Sequence, residues 1–120
     1  MKLLNSEDLG YVFQYPKDFL KLNELGFIKI MPWELIIDDR LLQRYNGLKK
    51  RFPDRKLIPF AQRRDCDDVA CWDLNNNNKV TVIHDYSEPG WEQVAVFDSL
   101  WNWFRKVSED IIEFANEDVE

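Results

Sequence analysis

Histidine, cysteine and glycine are scarce in this 120-residue sequence, which contains one histidine, two cysteines and four glycines. The two cysteines, Cys66 and Cys71, cannot form a disulfide framework, and their spacing is not that of a redox or zinc pair. A single histidine offers no second imidazole for a metal. No apolar run approaches the roughly 20 residues that a membrane-spanning helix needs, and the N-terminus does not resemble a signal peptide. We therefore expect a cytoplasmic protein without a metal site.

The motifs of common enzyme classes are also missing. The sequence has no glycine-rich phosphate loop and no nucleophile elbow. His84 and Asp85 could act as an acid and a base, but no nucleophile is placed beside them, so a partly exposed strand-end pair is the favoured interpretation. Four carboxylates could bind a cation but lack the glycine and the distant bidentate glutamate of a calcium loop: Asp65, Asp67, Asp68 and Asp73. We predict a protein that is not an enzyme and has no cofactor.

Apolar and aromatic residues are abundant by contrast. Hydrophobic residues make up 45% of the chain and aromatic residues 14%, which is too apolar for a disordered protein. A chain of this length can bury one core without disulfides. We expect residues 1–120 to form a single domain.

A β-hairpin is the clearest local prediction. Residues 69–74 and 80–86 are dense in β-branched and aromatic side chains, which favours two strands. Four consecutive asparagines at 75–78 separate them, and asparagine tolerates left-handed backbone angles. Residues 57–61 precede the hairpin and are expected to form a short edge strand. Cys71 alternates with Val69 and is expected to face the core.

Helices are predicted on both sides of this hairpin. The first begins at Pro16 and ends at Gly26, and the second begins at Asp38 or Asp39, with Gly47 as a possible break. The third begins at Asp98 or Ser99 and is expected to fray over residues 116–120. Residues 27–30 and 91–97 are strand candidates, with Trp91 on the same face as Gln93, Ala95 and Phe97 and among the core tryptophans. Strands without βαβ alternation favour an α+β fold with an antiparallel sheet covered by N-terminal, middle and C-terminal helices.

Several of these segments together resemble the SMI1/KNR4 (SUKH) superfamily. They are the Tyr-Pro-Lys-Asp-Phe-Leu segment at 15–20, Leu-Ile-Pro-Phe-Ala at 57–61, the strand ending in Trp-Asp at 72–73, and Phe-x-Ser-Leu-x-x-Trp-Phe at 97–104. Residues 63–68 depart from the family pattern, because they contain no glycine. The resemblance implies a SUKH-like α+β fold and a protein-binding function.

Charge is distributed unevenly along the chain. Residues 40–64 carry 9 basic and 1 acidic side chains, whereas the whole chain has a net charge of −6. Such asymmetry favours either intramolecular pairing or an acidic surface for a basic partner. Nucleic-acid binding is disfavoured because the rest of the chain would repel a polyanion.

The function that the resemblance implies is direct binding of another protein. Bacterial members of the superfamily are commonly immunity proteins that neutralise polymorphic toxins of nuclease or deaminase type, and an acidic protein can occupy the cationic face of such a toxin. The alternative is an intracellular regulatory or scaffold domain. We predict that six acids contribute to the partner surface: Asp65, Asp67, Asp68, Asp85, Glu88 and Glu92.

Overall fold

The predicted hairpin lies at the centre of the sheet. In a computed structural model, which describes residues 2–118, Asp68–Asp73 pairs antiparallel with Lys79–His84. Asn77 and Asn78 have positive φ angles of 53° and 57°, and the amides of Asn76 and Asn78 both donate to the carbonyl of Asp73. The asparagine turn is confirmed, because these residues reverse the chain in the left-handed region that asparagine tolerates.

The fold is α+β, with a six-stranded sheet in which every neighbouring pair is antiparallel and the strands follow chain order. The elements are α1 (Ser6–Leu9), α2 (Lys17–Glu24), β1 (Lys29–Ile30), β2 (Trp33–Leu35), α3 (Asp39–Arg51), β3 (Leu57–Arg63), β4 (Asp68–Asp73), β5 (Lys79–His84), β6 (Gln93–Phe97) and α4 (Leu100–Asp118). The predicted α+β class with an antiparallel sheet is therefore confirmed. Within residues 2–118, no helix combines the length and apolar character that crossing a bilayer requires.

Two strand predictions were wrong, the first because β2 pairs with β3 and the second because of a bulge. β3 is an interior strand between β2 and β4, not an edge, and an irregularity between Pro59 and Ala61 accommodates the proline, which has no amide to donate. In β6, Ala95 pairs with Val82 while Gln93 pairs with the adjacent Ile83, so Gln93 and Ala95 face opposite sides. A strict alternation over 91–97 cannot foresee such a bulge.

Helices pack on both faces of the sheet. Trp72 of β4 stacks on Phe60 with ring centroids 4.4 Å apart and meets Phe19 of α2 at 5.1 Å. Trp103 of α4 also packs on Phe60, with ring centroids 5.0 Å apart. Cys71 points to the opposite face, on which α3 packs against β3. Both Cys71 and Trp72 are thus buried, and the core position predicted for the cysteine is confirmed.

Two of the predicted helices differ from the structure in their extent. α3 runs through Gly47 without a break, and α4 continues to Asp118 where fraying was expected from residue 116. Residues 119 and 120 lie outside the described range. Trp91 precedes β6 and is 81% exposed, so its predicted core position was wrong.

Two tryptophans allow a matched test of this core. We expect Trp72→Ala to lower the free energy of unfolding by about 3–5 kcal/mol, because it removes a buried indole with four aromatic neighbours. Trp91→Ala should change it by less than about 0.5 kcal/mol, because that side chain is exposed. Urea unfolding followed by circular dichroism measures both. Equal losses would contradict the placement of the two side chains.

Candidate functional site

Two loops meet at one end of the sheet. In an antiparallel meander, the β3–β4 loop and the β5–β6 loop leave the sheet at the same end. The amide of Asp85 donates to the carbonyl of Asp67 at 2.9 Å and ties the two loops together. All six acids predicted to bind a partner lie on these loops or at the strand ends beside them.

Burial divides the six acids into two groups. Asp65, Asp67 and Glu88 are exposed, and Asp68 is half-buried. Asp85 and Glu92 are buried. Only the first group can present charge to a partner at the surface.

Asp85 is the most deeply buried of the six. Arg51 donates from both Nε and Nη2 to its two carboxylate oxygens at 2.6 Å, and Arg44 donates from Nη1 at 2.7 Å. Burial raises the pKa of Asp85, but the hydrogen bonds from Arg51, Arg44 and the Tyr86 amide outweigh it, so the pKa is below its ordinary value. We therefore correct the placement of Asp85 on the partner surface, because both of its oxygens are already bound.

Glu92 is withdrawn from the surface in a similar way. Its carboxylate accepts from Arg55 at 2.9 Å and from the amide of Gly90 at 2.6 Å. Burial raises the pKa of Glu92. The hydrogen bonds from its own amide, Arg55 and Gly90 lower it by more, so the pKa is below its ordinary value. Arg55 also binds Asp73 at 3.0 Å, so one guanidinium joins the end of β4 to the β5–β6 loop. The prediction that Glu92 lies on the partner surface is therefore also corrected, because this buried carboxylate is bound within the fold.

The basic segment 40–64 supplies most of the partners of the buried carboxylates. Glu34 of β2 accepts from Gln62 at 2.9 Å and contacts Arg40 and Arg64 at 3.7 and 3.4 Å. The structure therefore shows the first of the two alternatives that the charge pattern allowed, which is pairing within the chain. In α4, Asp110 accepts from the indole of Trp33 at 3.0 Å and lies 3.1 Å from Lys106.

His84 pairs with Asp68 rather than with its neighbour in sequence. Its Nδ1 lies 2.8 Å from the Asp68 carboxylate, directly across the β4–β5 ladder. Consecutive residues at the end of a strand point to opposite sides, so His84 faces away from Asp85. The acid–base pair considered from the sequence is not formed. Asp65 is also paired, with Arg63 donating to it twice at 2.8 Å.

The β5–β6 loop also exposes two aromatic side chains that sequence reasoning did not place there. Tyr86 is 64% exposed and has a positive φ of 67°, and the guanidinium of Arg51 lies 4.1 Å from its ring centre. Trp91 is the other. The only signal in the sequence was the Ser-Glu-Pro-Gly turn between them, which indicates a loop but not its direction.

No match was found among protein-family models, curated proteins or solved structures. The resemblance to SMI1/KNR4 proteins therefore stays a prediction. Among residues 2–118, no group of three or more histidine, cysteine, aspartate or glutamate side chains is placed to hold a metal ion. What this end of the molecule offers is exposed acids beside exposed aromatic rings.

Removal of the Asp85 charge tests the buried ion pairs. We expect Asp85→Asn to lower the free energy of unfolding by about 3 kcal/mol at neutral pH, because Arg44 and Arg51 lose a buried counter-charge. Asp67→Asn, at an exposed site, should cost less than about 0.5 kcal/mol. Because the folded pKa of Asp85 is lowered, its contribution is complete above the ordinary value of about 3.9 and disappears as pH falls through the folded pKa. The difference between wild type and Asp85→Asn should therefore shrink below about pH 4. A constant difference would contradict this arrangement.

His84 can be titrated directly because it is the only histidine. The hydrogen bond with Asp68 raises the pKa of His84 above 6.5, and we expect Asp68→Asn to return it towards that value. The pair therefore stabilises the fold below the unfolded pKa and loses this effect as pH rises through the folded pKa. Following the imidazole Cε1–H signal by NMR measures both pKa values. A wild-type pKa at or below 6.5 would show that the pair does not form.

Proposed function

We propose that this chain is a non-catalytic protein-binding domain that neutralises a toxin domain with a basic face by direct binding. The resemblance to SMI1/KNR4 (SUKH) proteins supports the proposal and implies a SUKH-like arrangement of the helices. A nuclease or deaminase must present a cationic face to its nucleic-acid substrate, and an acidic protein can cover that face. A cytoplasmic bacterial immunity protein is the specific form that we favour.

The observation that carries the proposal is the exposure of Asp67 and Glu88 on two connected loops, with Trp91 on one of them. Among residues 2–118, neither carboxylate forms an ion pair. Their charge is therefore directed to solvent rather than used within the fold. Such charges accelerate association with a basic partner over the Debye length of about 8–10 Å.

Trp91 supplies the contact area that acids alone cannot provide. An indole that is 81% exposed in the unbound protein gains most from burial on binding, and tryptophan is enriched among the residues that dominate interface energies. Tyr86 is exposed on the same loop. Asp65 and Asp68 are already paired with Arg63 and His84, so we assign them a secondary contribution.

The first test is neutralisation in cells. The proposal predicts that a toxin domain is encoded beside this gene, that cells expressing it survive only when this protein is also expressed, and that the two proteins co-purify as a one-to-one complex. Absence of both rescue and complex would contradict the immunity function. It would favour the regulatory or scaffold alternative.

The second test locates the surface. We expect Asp67→Lys with Glu88→Lys to slow association with the toxin domain at least tenfold at low salt, and less at high salt, because steering is screened. The matched control reverses two exposed acids that lie outside both loops, Glu7→Lys with Asp54→Lys. Trp91→Ala should weaken affinity about 30-fold, as expected for a central aromatic contact of about 2 kcal/mol. Stopped-flow and calorimetric measurements distinguish the two effects. If both charge-reversal variants slowed association equally, the toxin domain would not bind at these two loops.

A further inference from the structure

An open cleft of about 250 Å³ lies between α3 and the β5–β6 loop. Arg40, Arg44 and Arg51 line it from α3, Gln62 lines it from β3, and Tyr86 lines it from the loop. The three arginines recur at helical spacing, so they form one stripe of α3. The volume is several times the roughly 30 Å³ that one water molecule occupies. The cleft can therefore admit a small ligand.

The arginines in the cleft retain hydrogen-bond donors after their internal contacts are made. Arg51 uses Nε and Nη2 on Asp85, and Arg44 uses Nη1 on Asp85 and Nη2 on Gln62. A guanidinium carries five N–H groups. Within the described residues, each of these two arginines thus has three N–H groups beyond those in its hydrogen bonds.

The local charge is positive although the chain as a whole is acidic. Asp85 is the only carboxylate that binds Arg44 or Arg51 among residues 2–118. Arg40 is half-exposed, and its carboxylate contact is a long one of 3.7 Å to Glu34, which is shared with Arg64. Three guanidinium groups therefore line the cleft against Asp85 and a Glu34 carboxylate that Arg64 shares, which leaves an excess of at least one positive charge.

Two departures from local preference coincide at this cleft. Glycine inside a helix is unfavourable by about 1 kcal/mol, yet Gly47 lies in the middle of α3. A Cβ on Gly47 would stand 2.5 Å from Nη2 of Arg51, so the glycine leaves room for that guanidinium. Tyr86 has the positive φ that bulky residues avoid, and this conformation sets its ring against the same guanidinium. Strained residues of this kind cluster at binding sites.

We propose that this cleft binds the phosphate dianion of a small ligand. Arg40 and the outward N–H groups of Arg44 and Arg51 donate to its oxygens. Three guanidinium groups with unused N–H donors match the three acceptor oxygens of a phosphate better than the two of a carboxylate, and guanidinium groups bind phosphate through several directed hydrogen bonds. The opening beyond the arginines leaves room for the organic part of the ligand. This inference is independent of the toxin-binding function.

Calorimetric titration of the full chain with inorganic phosphate at pH 8 and constant ionic strength tests the site. We expect saturable one-to-one binding, competition by sulfate, and at least tenfold weaker binding of acetate. Absence of saturable binding would overturn the proposal. Equal binding of acetate would overturn the preference for a dianion.

Two substitutions on α3 separate a specific site from general charge attraction. Arg40→Gln should weaken phosphate binding about tenfold, the effect of one charge-assisted hydrogen bond. Lys50→Gln removes the same charge from an exposed position outside the cleft and should weaken it less than twofold. Equal effects of the two would overturn the site.

Gly47→Ala adds a test that leaves the charge unchanged. The new methyl group displaces the guanidinium of Arg51, so phosphate binding should weaken at least threefold while the helical signal is retained. Unfolding in urea, measured without phosphate, establishes that each variant is folded. Unchanged affinity in a folded Gly47→Ala protein would overturn the role of Arg51.

Discussion

The pairing of Asp85 with Arg44 and Arg51 is the interaction on which this end of the molecule depends. Removing a charged carboxylate from water costs several kcal/mol of folding free energy. The two guanidinium groups offset that cost only if both are held in place beside it. Arg44 and Arg51 belong to α3, and Asp85 follows β5, so the ion pairs attach the helix to the end of a strand two places along the sheet from β3, against which α3 packs. The same carboxylate accepts a hydrogen bond from the amide of Tyr86 and thereby fixes the start of the β5–β6 loop.

This internal neutralisation decides which charges remain for binding. The basic segment faces buried carboxylates on β2, β4 and the β5–β6 loop, so most of its charge is used within the fold. The exposed acids Asp67 and Glu88 then dominate one surface, and Arg40 marks a cationic cleft near it. A net charge of −6 conceals this separation into two surfaces of opposite sign. The proposed protein-binding and phosphate-binding sites follow from that separation.

Most of the regular structure could be predicted from local pattern. The two strands of the hairpin, its asparagine turn and the starts of α3 and α4 depend on residues close together in sequence. Backbone geometry converts such spacing directly into a face or a turn. Trp91 shows the limit, because the alternation of residues 91–97 continued across a bulge and placed in the core a side chain that is exposed. The glycine at position 47 indicated a helix break, since nothing nearby in sequence shows that a guanidinium occupies the missing methyl position.

The sequence by itself determined the α+β class, the hairpin and the uneven charge, because each depends on composition or on short-range periodicity. Only the tertiary structure decided which acids are available to a partner. Asp85 and Asp67 have the same side chain and lie in similar polar turns, yet one is buried between two arginines and the other faces water. Arg44 and Asp85 are 41 residues apart, and no periodicity relates them. Their contact arises because α3 packs across the sheet, and Asp85 stays charged there because two guanidinium groups offset the cost of removing it from water.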